Sequence, residues 1–115
     1  MGNVTPAVRT FYRIVRSDPP ALRDFTSNAA RGLPLRDESE EMRRLWDGIS
    51  VYATEGQARN KARQFPYLGR YLARLEIPER ARVRVERTIR NGRGHHTLWG
   101  DPADLLGWVA AVFPT

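Results

Sequence analysis

Strand-like and helix-like segments do not alternate strictly along this chain, and that limits the folds open to it. Residues 10–16, TFYRIVR, read as a strand: they are rich in aromatic and β-branched side chains and stop at Ser17-Asp18-Pro19-Pro20. Asp18 followed by Pro19 is a helix-start pattern, and Leu22, Phe25, Ala29 and Ala30 give that helix an apolar stripe as far as Gly32. A second helix follows at once over residues 38–47, with Met42, Leu45, Trp46 and Ile49 at helical spacing. Residues 49–54 form a strand, with Ile49, Val51 and Ala53 on one face and Ser50, Tyr52 and Thr54 on the other. Thr54-x-x-Gln57 is a capping box, so a helix starts there, and Pro66 ends it after Phe65. Two strands follow, over residues 69–77 and 81–89, the second with Val83, Val85 and Ile89 inward. A loop from Asn91 to Gly94 leads to a short extended piece at residues 95–100. Asp101-Pro102 caps a further helical turn, and residues 108–113 make a last strand. That strand is apolar on both faces, which predicts a place inside the sheet.

The order β, α, α, β, α, β, β, short α, β argues for an α+β fold rather than a doubly wound parallel one. The expected architecture is one compact domain over residues 1–115, with residues 1–9 a loose lead-in. Its sheet is mixed or mainly antiparallel, with five or six strands and room for a split, accompanied by three to four helices. A chain of 115 residues fits one domain on the usual range of roughly 100–200.

With no cysteine, disulfides, zinc–thiolate sites and cysteine nucleophiles are excluded. The longest apolar run, residues 105–113, is half of what a membrane helix needs. The first ten residues lack the apolar core of a signal peptide, so the expectation is a cytoplasmic protein that does not engage a membrane. The motifs GxGxxG, GxxxxGK[ST], HExxH and GxSxG are absent.

Net charge is +6, and Lys61 is the single lysine among 19 basic residues. That skew is what arginine codons of a GC-rich genome produce, so charge alone does not name a polyanion partner. An arginine-rich surface still binds nucleic acid nonspecifically and in a salt-dependent way.

Several residues carry possible chemistry. Arg13 sits mid-strand between Phe11 and Val15, where an arginine is unusual. It either clamps a phosphate or carboxylate with its fork, or snorkels to water or to an internal partner. Ser50, Tyr52 and Thr54 either line a cleft or alternate on a half-exposed strand with Thr54 used as the cap. His95 and His96 point to opposite faces of a strand, so one at most enters a site. Gly94 to Pro102 is the densest unusual segment, either a site loop containing His96, Trp99 and Asp101, or a tight turn with Trp99 in the core and Asp101 as cap. Glu86 lies among Arg82, Arg84 and Arg87, and reads most simply as a surface ion pair. No metal site is expected.

Taken together, Phe11-Tyr12-Arg13 on an early strand, Gly48-Ile49-Ser50-Val51-Tyr52-Ala53-Thr54 followed by a helix containing Ala58, and a strand–loop–strand finish resemble the ADP-ribosyltransferase superfamily. The likeness is to its compact bacterial members, the RES-domain toxins and rifampicin ADP-ribosyltransferases, and covers roughly residues 10–77 through short, degenerate motifs. It implies NAD as substrate, lying in a cleft across a split sheet. Arg13 would anchor the dinucleotide and Tyr52 would stack on nicotinamide, with Ser50, Thr54 and Trp99 as further binding residues. The third family position departs from pattern, because Gln-x-Glu and Glu-x-Glu are missing; Asp101, Glu86 and His96 are the candidates for it. The implied activity is transfer or cleavage of ADP-ribose, as in a small toxin with an antitoxin or other protein partner. The alternative is a noncatalytic basic module for nucleic acid or an acidic protein.

Overall fold

Aromatic and β-branched residues commit the first segment to strand β1, Val8–Val15, in a computed structural model that describes residues 8–35, 39–89 and 92–115. The remaining elements are α1 (Glu40–Trp46), β2 (Ile49–Tyr52), α2 (Glu55–Gln64), β3 (Tyr71–Pro78), β4 (Arg84–Arg87), β5 (His95–Trp99), α3 (Pro102–Gly107) and β6 (Val109–Pro114). Two 3₁₀ turns, Leu22–Phe25 and Pro66–Leu68, complete the set. The six strands form one open antiparallel sheet in the order β4-β5-β2-β1-β3-β6. The fold is α+β, and among the described residues no helix is long and apolar enough to cross a membrane. Residues 1–7 of the expected lead-in, the first residue of the expected second helix and Asn91 lie outside the described residues, while residues 8 and 9, expected in the lead-in, already belong to β1.

Strand alternation sorts the core into two layers. Phe11, Val15, Ile49, Val51, Leu75, Ile77 and Leu98 face Phe25 of the first 3₁₀ turn and Leu105 of α3. Ile14, Tyr52 and Leu72 face Ala58 and Ala62 of α2. Thr54 caps α2 as its motif predicts, its hydroxyl accepting the Gln57 N–H at 3.2 Å. Only that half of the capping box forms, because Gln57 Oε1 is buried without a partner.

The structure corrects three elements. Residues 18–30 do not form the expected α-helix; only the 3₁₀ turn Leu22–Phe25 is helical there. Instead the Asp24 carboxylate collects the backbone N–H groups of Arg16 and Ala21, each at 2.9 Å, and the Ser17 hydroxyl at 2.8 Å. One side chain with three nearby donors folds the segment back on itself and overrides its helical stripe. The strand expected over residues 81–89 shortens to β4, and Ile89 is exposed rather than inward. The last strand is an edge and not interior: β6 pairs only with β3, with a bulge between Arg74 and Leu75. Although an edge, β6 is half-buried along much of its length, which its two-sided apolar composition suits.

Candidate functional site

β1 and β3 pair continuously, from Val8 opposite Pro78 to Val15 opposite Tyr71. On its other side β1 meets β2 at one register pair, Tyr12 opposite Tyr52. Past that pair the two strands diverge, and the Arg13 side chain bridges the gap. Its Nε donates to Asp24 O at 3.0 Å and its Nη1 to Ser50 O at 2.9 Å. Asp24 is itself pinned by the three donors described above. Arg13 is thus held rigidly by backbone carbonyls, while the rest of its five-donor fork makes no bond among the described residues. Burial draws its pKa down to about 10, with Asp24 and Tyr52 pulling upward and Arg31 adding to the fall. It stays a cation at neutral pH.

Beside this gap opens a cleft of about 560 Å³. Ser50, Tyr52, His95 and Thr97 make its floor and the Arg13 guanidinium borders it at the gap; Met42, Leu45 and Trp46 of α1 stand on one side, and Lys61 of α2 with Phe65 and Tyr67 on another. Arg16 and Arg31 add positive charge. Among the described lining residues there are four cations and no carboxylate. A second depression of about 410 Å³, near Phe25 and Pro102, has Asp47 as its one charged lining residue. Of these two, the first is the one with anion-binding character.

Ser50 and Tyr52, singled out from sequence alone, share the face on which the cleft opens; Arg13 leaves β1 on the opposite face, with Phe11 and Val15, and its guanidinium reaches the cleft lining at the gap between β1 and β2. Tyr52 is buried, its ring meeting the His95 ring edge-on with centroids 5.4 Å apart. Burial raises its pKa, and the Arg13 cation opposes the rise. The other candidates lie elsewhere. His96 points to the opposite face, its ring 5.2 Å from Phe11 and its Nδ1 2.9 Å from Gly94 O. Asp101 accepts the Ala103 N–H at 2.8 Å as the cap of α3. Thr54 is the α2 cap and does not line the cleft. Trp99 shares a face with His95 and Thr97, but α1 covers it: its indole N–H donates to Arg44 O at 2.9 Å. The Arg44 and Arg84 guanidinium groups each lie 5.5 Å from its ring. Glu86 is ion-paired with Arg44 rather than with its strand neighbours.

His95, not His96, is the histidine of the cleft. Its position follows from the register Tyr52–His95, a contact between distant segments that periodicity cannot supply. Trp46, Lys61, Phe65 and Tyr67 also line the cleft and were not among the site residues read from sequence. Lys61 and Phe65, four residues apart on α2 and at its end, had a usable signal in that spacing, and the Lys61 Nζ lies 4.8 Å from the Phe65 ring centroid.

Compared with protein-family models, with curated proteins and with solved structures, the chain matches none.

Proposed function

We propose that the cleft binds NAD and that the chain is a small ADP-ribosyltransferase-like protein of the toxin kind, acting on the ADP-ribose bond of that dinucleotide. The observation carrying this reading is the convergence of Arg13 and Tyr52 in one cleft with four cations and several aromatic rings. A pyrophosphate needs cations, and Arg13 offers free donors on a guanidinium already fixed in place. Two flat rings need aromatic faces. Tyr67, at 71% exposed, and the half-buried Trp46 and Phe65 present more free surface than Tyr52 does. A volume of about 560 Å³ lies within the usual range for ligand sites.

One observation favours a second reading, binding without turnover. No described lining residue is a carboxylate, and Asp101, Glu86 and His96 lie outside the cleft, so no group there is suited to stabilise a ribosyl cation. The chain would then be a basic binding module for a nucleotide, a nucleic acid or an acidic protein.

Calorimetry with NAD, run beside an assay for released nicotinamide, separates the two. Saturable binding with nicotinamide release supports the enzyme, and binding without release supports the module. Arg13→Ala is expected to weaken NAD binding by about 10–100-fold, the value of a charge-assisted hydrogen bond. Unchanged binding in that variant would remove NAD from the cleft. Nonspecific binding to nucleic acid that falls steeply with salt, with no NAD binding, would leave the basic module alone.

A further inference from the structure

His95 is 2% exposed, yet it borders the cleft. Its Nδ1 is fully engaged, 3.2 Å from Thr88 O and 2.5 Å from Thr88 Oγ1. Thr88 O only accepts and Thr88 Oγ1 can do either, so a proton on Nδ1 satisfies both contacts at once, and this is the tautomer we assign. The Thr88 hydroxyl can then turn its own hydrogen to Thr97 Oγ1, 3.1 Å away. This arrangement leaves Nε2 as a bare lone pair. Nε2 has no partner among the described residues, and it is not one of the buried polar atoms sealed off without one.

Burial holds the imidazole neutral, with its pKa lowered to about 4; Thr88 opposes that fall, and Lys61, His96 and Arg13 reinforce it. The charged groups around the floor, Arg13, Arg16, Arg31 and Lys61, only donate. Ser50 O is already taken by Arg13, and Thr97 Oγ1 is engaged by Thr88. A phosphorylated ligand finds donors for its phosphates in abundance. Its sugar hydroxyls need an acceptor; the Ser50 and Tyr52 hydroxyls and the Asn28 amide also line the cleft, but each carries a donor of its own, whereas His95 Nε2 in this tautomer is a bare lone pair on a buried ring.

We propose that His95 Nε2 accepts a hydrogen bond from a ribose hydroxyl of the bound dinucleotide, making the cleft selective for ribosyl over deoxyribosyl ligands. This rests on the NAD reading above. It makes His95 a specificity residue that touches ligand, and it assigns the Thr88–Thr97 pair the task of fixing the tautomer.

Two measurements test it. Nitrogen NMR of the free protein at neutral pH should find His95 protonated on Nδ1 alone; a proton on Nε2 would overturn the proposal while leaving the NAD reading standing. Calorimetry with NAD and its four monodeoxy analogues, each lacking one ribose hydroxyl, follows. One analogue should bind the wild-type protein about 10-fold more weakly than NAD, as expected for one lost hydrogen bond to a desolvated group. His95→Asn keeps a donor near the Nδ1 position and deletes Nε2; it should bind NAD about 10-fold more weakly and no longer distinguish that analogue. Equal binding of all five ligands by the wild-type protein overturns the proposal without any variant, as does discrimination that survives in His95→Asn. A wild-type protein that binds none of the five sinks both this inference and the NAD reading.

Discussion

β1 has two sides, and they are built on different principles. Toward β3 its ladder is complete over the whole strand, and the side chains around it, Leu72, Ala73, Leu75 and Ile77, are fully buried. Toward β2 the ladder stops at Tyr12 and Tyr52. There a guanidinium from Arg13 satisfies the Ser50 carbonyl that backbone pairing leaves free. A closed ladder uses every donor and acceptor and has nothing left for a ligand. An open one must satisfy its polar groups with side chains, and those side chains are where recognition chemistry is available. The candidate site therefore sits at the one interior joint of the sheet that is barely zipped, with the fully zipped joint beside it as foundation.

The largest effect that sharpens this contrast belongs to the closed side. Leu75 is 0% exposed and central to the layer beneath α3. Leu75→Ala should cost about 2–5 kcal/mol in urea unfolding, as buried leucine truncations do. Ligand affinity of the fraction that stays folded should be unchanged; a parallel loss of affinity would show that the two sides are not separable. Next in size is Arg13→Ala, which leaves Ser50 O and Asp24 O without their partner. We expect a loss of about 2–3 kcal/mol, together with the loss of binding described above. Arg13→Lys keeps the charge but not the two-pronged reach, and should recover stability less than binding.

How far the sequence reached follows the same division. Local signals carried the strands, their face parity, the Thr54 cap and the Asp101 cap, because each depends on residues within a turn of one another. Arg13, Ser50 and Tyr52 were legible for the same reason: an arginine between two apolar neighbours and a polar stripe on a short strand are visible without a fold. The segment after β1 was misread, since Asp18-Pro19 resembles a helix start and nothing local announces that Asp24 will gather three donors. The edge position of β6 was hidden because apolar composition reports cover from above and below, not the presence of a neighbour alongside. Choosing His95 over His96 required the pairing of β5 with β2. Trp99 and Asp101 looked like site residues by type, yet each is satisfied by its own surroundings, Arg44 O for one and the Ala103 N–H for the other.

Acid gives a third and smaller test. His95 has a folded pKa lowered to about 4 from an ordinary 6.5. Between those values the unfolded chain binds the extra proton and the folded one does not, so stability falls as pH drops through that window. The loss should reach about 1–3 kcal/mol by the bottom of the window. His95→Asn should flatten this limb; a wild-type stability constant from pH 6.5 to 4 would mean that the imidazole is charged or solvated in the fold. A separate limb belongs to Asp24. Burial pushes its carboxyl up, but the Arg16 and Ala21 N–H groups and the Ser17 hydroxyl outweigh that and hold it below 3.8. Its contribution is present above that value and is lost as pH falls through the lower folded one.

The smallest effect falls on the residue where cap and site compete for the same hydroxyl. Thr54 follows β2 directly, on the stripe with Ser50 and Tyr52, and by type it suits a sugar or an amide. Its oxygen instead accepts the Gln57 N–H at 3.2 Å, and the residue is outside the cleft lining. A capping oxygen is fixed toward its helix and cannot also reach across the strand to a ligand. Thr54→Ala should therefore cost about 1 kcal/mol of stability, the usual value of a lost N-cap. NAD affinity should stay within about 2-fold of wild type, because α2 remains anchored through Ala58 and Ala62 and keeps Lys61 over the cleft. Thr54→Ser restores the oxygen without the methyl group and should return most of the stability. A variant of normal stability that binds NAD poorly would reverse the assignment. It would place the Thr54 hydroxyl on the ligand and extend the open side of β1 past the end of β2.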